Sequence, residues 1–464
     1  FAQYIDSELS ESSLPDILPI EEKQYFPVSS SQKRIFITSL MSKNVYNVPG
    51  VLILEGKIDF NKFKDTLKRV ADRHEILRTT FDYKEKKIVQ LVHEEAVISL
   101  EWHEVKENNI DEIIKSFIKP FDLKQLPLFR FHILKVDEQR HYLFYDFHHI
   151  ITDGTSHGVF LNDFIHLYSN LPLPEITIQY KDYAFWQNKI LNENHLKKQE
   201  KFWLKRFSKQ NTLLQLHYDY TRPDIRSYKG KNSFFTINKD LKSRLKQFAY
   251  ENNCTLFVPL LSAYSILLSK NSGQDKIVIG TPVAGRQNKK LENLVGVFIN
   301  SVAIVTKPKA GYLLADFVKK INKEVLKVFK NQEYPFDILV EKLGWHNNPS
   351  RNPLFDTMFQ YQNMVMPKMN CTEVKVDRYE IENEIALFDL TLEIIEHDSV
   401  LNCRFKYCRD LFKSETIDRW REEYLEILNY IVENKELKLE QLVSDKHDDS
   451  IGDLKLDCVE FNFD

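Results

Sequence analysis

The sequence predicts an α+β fold in two lobes, on three observations. A chain of 464 residues exceeds what one hydrophobic core usually serves. Its 43% hydrophobic and 12% aromatic residues suffice to fill two cores. Helical and strand-like patterns alternate through both halves. Taken in order, Ser7 to Pro19 is polar and proline-bearing and reads as a linker. Phe60, Phe63, Leu67 and Val70 then recur at helical spacing, and strand-like pieces follow up to the aromatic run Tyr142-Leu143-Phe144-Tyr145-Asp146-Phe147. Thr155 to Ile165 has capping residues first and helical apolar spacing afterwards. Asp182 to about Phe207 is long, charged and helical, a bridge to the second lobe. There, helices are expected around Leu256 to Leu268, Leu314 to Phe329 and Ile417 to Ile431. Strands such as Lys276 to Ile279 and Val400 to Tyr407 lie between them. No internal repeat is visible.

Composition narrows the function classes. The formal net charge of -3 balances 64 basic against 67 acidic residues without a long basic stripe, so no nucleic-acid partner is expected. No apolar run approaches the roughly 20 residues of a membrane span, and no signal peptide opens the chain, which predicts a cytoplasmic protein without a membrane partner. Cys254, Cys371, Cys403, Cys408 and Cys458 form neither a CxxC pair nor an even framework; reduced thiols fit them. The start at Phe1 reads as an excised piece of a longer protein.

The chemistry concentrates in His148-His149-Ile150-Ile151-Thr152-Asp153-Gly154, at the handover from the aromatic strand to the helix. Side chains there can project into a cleft while the first amides of the helix remain free. A neutral imidazole at such a turn can accept a proton, hold a nucleophile or bind metal, although two adjacent histidines at a strand end are more often packed polar residues than catalysts. Metal is disfavoured, because neighbours on a strand point to opposite faces and no second His/Cys cluster supports them. Gly154 would let a bulky substrate approach the backbone. Asp153 would be a buried anchor whose charge requires a cationic partner.

The segment matches the HHxxxDG signature of nonribosomal peptide synthetase condensation domains, members of the chloramphenicol acetyltransferase-like superfamily. Other matches follow in the family's order. Ser29-Ser30-Ser31-Gln32-Lys33-Arg34-Ile35-Phe36 resembles SxAQxRxW, and Arg73-His74-Glu75-Ile76-Leu77-Arg78-Thr79-Thr80-Phe81 resembles RHExLRTxF. Tyr180 to Trp186 is similar to YxDYAxW, Ile279 to Arg286 to IGxPxAGR, and Val295 to Ser301 to VGxFxNT. Asn331 to Asp337 resembles HQxYPFE, and Asn352 to Asn363 is also family-like. The chain departs where Asn331 replaces the usual His and where no arginine closes the strand Val302 to Val305. Thr155 after the Asp-Gly pair, where some subtypes carry Trp, leans towards a domain accepting an L-configured donor.

The resemblance implies two chloramphenicol acetyltransferase-like lobes in a V-shaped pseudo-dimer: residues 22–178 the N-terminal lobe and 179–450 the C-terminal lobe. Residues 1–21 would be a carrier-domain tail and linker, and 451–464 the start of a linker to an adenylation domain. Gly280 to Ser301 would form part of a tunnel floor, and a segment near Gln362 to Phe388 would cross back as a latch. The implied reaction forms a peptide bond between a donor thioester and the amine of an acceptor aminoacyl thioester. Both arrive on 4'-phosphopantetheine arms of upstream and downstream carrier proteins, with no bound cofactor and no metal. His149 and Gly154 would be the catalytic positions. His148, Asp153, Arg286, Arg73 and Arg78 would be structural around them, with Asp153 paired to Arg286. An epimerisation domain, a coenzyme A-dependent acyltransferase and a non-catalytic recruitment domain of the same fold are the rivals.

Overall fold

A computed structural model of the chain describes residues 14–42, 44–208, 213–345, 348–362, 374–379, 381, 384–434 and 437–443. The carrier-like tail Phe1 to Ile5, Cys371, Cys458, Asn363, most of the first half of the expected latch and the linker-like Val459 to Asn462 lie outside the described residues.

Two lobes form, each a sheet covered by helices. The N-terminal lobe is built on a five-stranded sheet in the order Lys375–Tyr379, Asn47–Glu55, Arg140–His148, Phe129–Lys135 and Leu100–Glu104. All neighbours are antiparallel except the last pair. Helices Phe60–Arg73 and Gly154–Tyr168 pack on one face, where Phe63 meets Phe164 with ring centroids 4.7 Å apart. Ile110 and Ile114 of helix Ile110–Phe117 cover the other face against Val51, Leu134 and Phe144. The strand Arg140–His148 is therefore covered on both sides, which is why it reads as a nearly continuous apolar run.

The C-terminal lobe carries a six-stranded mixed sheet in the order Asn300–Thr306, Ile277–Val283, Thr357–Gln362, Leu390–Glu396, Leu401–Cys408 and Gly230–Ile237. Helix Phe257–Lys270 runs through the centre of this lobe, buried from Val258 to Ser269. Helices Lys239–Glu251, Leu314–Phe329 and Ser414–Glu433 pack around it with their apolar faces inward. The expected helices and strands of this half are present within a few residues of their predicted bounds.

Three expectations about organisation need correction. The charged stretch after Asp182 is not one helix but two, Tyr180–Asn192 and Lys197–Phe207, broken where Asn194 takes a left-handed φ of 58°. The lobe boundary at 178/179 is also misplaced. Tyr180, Tyr183 and Ala184, and Leu291 to Phe298 from far along the chain, belong to the N-terminal core, while Ile190 joins the C-terminal one. Finally, the described part of the expected linker is docked. Ile17 is fully buried in the N-terminal core, and the Trp186 indole donates to the Pro15 carbonyl at 2.6 Å. The polar residues are concentrated before Leu14, and the stretch Leu14 to Ile20 is apolar apart from Asp16.

The segment expected to cross back does so: Lys375–Tyr379, from the second half of the chain, adds to the edge of the N-terminal sheet beside Asn47–Glu55. Cys254, Cys403 and Cys408 are free and buried.

Candidate active site

His148 is the last residue of the strand Arg140–His148, and its amide is held by the Leu128 carbonyl at 2.9 Å. The next amide, of His149, donates to the Tyr46 carbonyl at 2.8 Å. Both backbones are thus fixed, and the two rings have different surroundings.

The His149 Nδ1 lies 2.7 Å from the Thr152 carbonyl oxygen. A carbonyl only accepts, so Nδ1 carries the proton of the neutral ring and Nε2 keeps its lone pair. Tyr46 packs edge-on against the ring at 6.2 Å between centroids. Burial holds the His149 pKa below the ordinary imidazole value, against the opposing pull of Asp153 and the Thr152 carbonyl. At neutral pH the site therefore offers a fixed, uncharged acceptor at Nε2.

The other ring is inverted in role. The His148 Nδ1 accepts from the Ile150 amide at 3.2 Å, so its Nε2 carries the proton and faces the Ser39 hydroxyl at 3.3 Å. That hydroxyl donates onward to the Ile35 carbonyl at 2.8 Å. With both nitrogens engaged and burial pushing its pKa down to about 3, His148 is a neutral structural ring. A sign follows for stability. Between about 3 and the ordinary value near 6.5 the unfolded chain binds a proton that folded His148 refuses. Stability must therefore rise with pH through that window, by up to about 1.4 kcal/mol per pH unit from this one group. Urea unfolding of the parent and of His148→Gln between pH 4.5 and 6 checks this, and the variant should show the shallower slope. Equal slopes would remove His148 from the account.

Asp153 caps the helix Gly154–Tyr168. Its Oδ1 accepts from the Ser156 amide at 2.8 Å and from Arg286 Nη2 at 3.3 Å, and its Oδ2 accepts from the Phe298 amide at 2.8 Å. The Ser156 hydroxyl, 2.8 Å from Oδ1 and 2.6 Å from the Gly296 carbonyl, accepts from the Gly296 amide and from Arg286 Nη2. Arg286 also donates to the carbonyls of Leu291 and Leu294 and lies over the Phe298 ring at 4.2 Å. The side chains of Asp153 and Arg286 are only 3% and 5% exposed, so the expected pair is buried. It ties the helix after the histidines to the Leu291 to Phe298 loop.

Two glycines make this approach possible. Gly285 has a left-handed φ of 66°, and a Cβ there would sit 2.1 Å from the Phe298 carbonyl oxygen. A Cβ on Gly296 would sit 2.0 Å from the Tyr180 ring.

The sequence motifs converge on this loop. Ser29 and Gln32 form a capping box at the start of helix Ser30–Met41, and the Ser29 hydroxyl meets the Tyr180 hydroxyl at 2.8 Å. Tyr180 in turn donates to the Val297 carbonyl at 2.8 Å, and the Ser31 hydroxyl donates to the Ile299 carbonyl at 2.9 Å. Asn300 donates to the carbonyls of Gln332 and Tyr334 and accepts from the Phe336 amide at 3.0 Å. Arg34 reaches Asp337 at 3.5 Å. Segments from far apart in the chain are thus tied to the loop that Asp153 and Arg286 hold.

Two expected site residues have partners outside the His148 to Gly154 turn. Arg73 binds Asp163 at 2.8 Å, which also holds His74 Nε2 at 2.9 Å, and His74 Nδ1 accepts from the Val295 amide at 3.4 Å. Arg73 thus braces the helix Gly154–Tyr168 rather than lining the turn. Arg78 donates to the His93 carbonyl and approaches Glu75 at 3.6 Å, so its structural role is to staple a local turn. Conversely, Ser156, Gln32 and Asn300 matter more than sequence reasoning allowed. Ser156 was discoverable as the residue three after a capping Asp. At Gly154 a Cβ would meet no atom within 4 Å, so space lies open at the start of the helix. Under that helix an apolar cavity of about 90 Å³ is walled by Leu143, Tyr145, Phe147, His157, Phe160 and Val376. Among the described residues, neither His148 nor His149 belongs to a set of three ligand side chains close enough for one ion.

A family model described as condensation domain matches residues 22–451. The chain belongs to the condensation domain family. Tyrocidine synthase 3 of Brevibacillus parabrevis is 40% identical over 419 residues, covering 90% of this chain and 6% of that protein. Gramicidin S synthase 2 of Brevibacillus brevis is 38% identical over 445 residues, covering 95% and 10%. This condensation domain thus spans a tenth or less of the length of these relatives. Among solved structures, the X-domain from teicoplanin biosynthesis superposes with a TM-score of 0.84 at 21% identity, covering 92% of this chain and 99% of that one. A four-domain nonribosomal peptide synthetase bound to AMP and glycine gives a TM-score of 0.82 at 22% identity, covering 92% and 34%. These likenesses establish the fold. Of the departures from the family's motifs, Asn331 sits half-buried in the turn after helix Leu314–Phe329, where its carbonyl accepts from the Trp203 indole. No helix among the described residues is long and apolar enough to cross a membrane.

Proposed function

We propose that this condensation domain joins two carrier-bound thioesters in the cytoplasm. The amine nitrogen of the acceptor aminoacyl group attacks the donor's thioester carbonyl. A C–N bond forms, the C–S bond breaks, and the thiol leaves with the proton the nitrogen gives up. The elongated chain stays on the acceptor carrier. Upstream and downstream carrier domains would deliver both partners on 4'-phosphopantetheine arms, with an adenylation domain following. The observation that carries this reading is His149, whose Thr152 contact leaves Nε2 as an acceptor on an uncharged ring.

An α-amine has a pKa of about 7.7 to 8.0, so a useful neutral fraction exists near pH 7 without a strong base. An imidazole held below its ordinary pKa is a weak base, so it suits orienting the N–H of the attacking amine and receiving charge as it develops. Positioning two tethered reactants supplies a further part of the acceleration. Asp153 and Arg286 hold the turn and touch no substrate in this scheme.

The open space at Gly154 supplies a test of where the reactants meet. Gly154→Val should fold, since its side chain meets no protein atom at the Cβ, yet should lose condensation by filling the space the thioesters need. A folded variant with full activity would place the reacting groups elsewhere. The rival reading is a domain of the same fold that only recruits a partner; the X-domain of teicoplanin biosynthesis has been solved in complex with OxyB. Under that reading neither Gly154→Val nor any change at His149 would alter dipeptide formation above background.

A further inference from the structure

Glu101, His103 and His132 lie together on the N-terminal sheet, and nothing in the reaction above uses them. Their placement follows from strand geometry. Glu101 and His103 alternate on the edge strand Leu100–Glu104 and so share a face, with Trp102 on the other. His132 stands on the neighbouring parallel strand, in register with Glu101. The pattern Glu-x-His is visible in sequence, but the third member is 29 residues away and needs the parallel pairing to be seen.

The three donor atoms form a nearly equilateral triangle. His103 Nε2 is 3.2 Å from His132 Nδ1, and the Glu101 Oε2 is 3.3 Å from the first and 3.5 Å from the second. Zinc bonded to imidazole nitrogen and carboxylate oxygen at about 2.0 to 2.1 Å would set tetrahedral ligands about 3.3 to 3.4 Å apart. The triangle therefore has the dimensions of one face of a zinc tetrahedron. The His132 ring is held in place by Phe117, stacked on it at 3.7 Å with 3° between the planes, so this ligand is oriented in advance. His132 is 8% exposed, His103 33% and Glu101 58%, so the cluster opens to solvent on one side and leaves room for a water as fourth ligand. The nearby Arg130 is already engaged by Asp146 at 3.2 Å, so a bound cation would face its partly neutralised charge and that of Lys119.

We propose that Glu101, His103 and His132 form a binding site for one divalent transition-metal ion of the zinc type, remote from the reaction, that clips the edge strand Leu100–Glu104 to the sheet. Unlike a catalytic site, it leaves dipeptide formation independent of the ion.

The test uses the whole domain, dialysed against chelator and titrated with zinc chloride by calorimetry. The expected result is one site per chain and a raised melting temperature with zinc. His103→Ala, on the exposed edge, should weaken that site by about tenfold or more, the scale on which even supporting partners of a metal act. His132→Ala should do the same if its circular dichroism shows it folded, and Glu101→Gln serves as the variant that leaves both rings in place. Condensation should persist with chelator. Zinc binding equally tight in parent, His103→Ala and Glu101→Gln, or no stoichiometric binding in the parent, would overturn the proposal.

Discussion

Replacing His149 with Ala should lower single-turnover dipeptide formation by about 10² to 10⁴, the range over which a positioned proton acceptor contributes. The expected loss falls on the rate of the chemical step and not on carrier docking, because the ring's contacts are internal ones, with the Thr152 carbonyl of the turn and the Tyr46 ring beside it. Folding should survive, since the fixed parts of the residue are its backbone bonds, which Ala keeps. His149→Gln gives a sharper reading: an amide can accept a hydrogen bond but takes no proton. Partial recovery in Gln would show that holding the amine is the larger contribution, and a rate as low as Ala would show that proton acceptance is. His148→Ala should act differently, through stability, since both its nitrogens serve the fold.

The second large effect is on the Asp153–Arg286 pair. Asp153→Ala leaves a guanidinium that is 5% exposed facing the Ser156 hydroxyl and strips the Phe298 amide of its acceptor. Breaking one side of a buried pair typically costs about 3 to 5 kcal/mol. Asp153→Asn should cost less but still lower the melting temperature, because one of its atoms must turn a donor towards donors. Activity should fall with stability. If Asp153→Asn melts like the parent while condensation vanishes, the residue touches the reaction and the structural role is wrong. A double-mutant cycle with Arg286→Gln adds a check, since residues in one network couple and the second change should cost much less once the first is made.

Why the site was so legible lies in its construction. His148, His149, Asp153 and Gly154 are contiguous, so their join of strand to helix could be read from a single run of apolar, polar and capping residues. Even the need for a distant cation followed from one buried carboxylate. The identity of that cation, Arg286, came only through the resemblance, because 133 residues separate the pair and no local pattern links them. The same limit explains the misplaced lobe boundary. Leu291 to Phe298 carries no sign in its own apolar spacing that it packs under the other lobe. Arg78 shares a motif with Arg73 but has different partners, Glu75 three residues before it and the His93 carbonyl fifteen after, the second of which no local pattern shows. Ile17 shows the converse error: the polar start of the stretch hid the apolar run Leu14 to Ile20, of which Ile17 is fully buried and docks the segment.

The central claim is that this domain transfers a donor acyl group onto the amine of an acceptor aminoacyl thioester, with His149 as the acceptor at the reacting nitrogen. Its most direct test mixes a donor-loaded and an acceptor-loaded carrier with the domain and follows the acceptor carrier by intact-protein mass spectrometry. The predicted result is an acceptor carrier heavier by the donor acyl group and a donor carrier with a free thiol, with the mass gain nearly lost in His149→Ala. An acceptor carrier that keeps its mass, or one that gains the donor equally fast with His149→Ala, would contradict it.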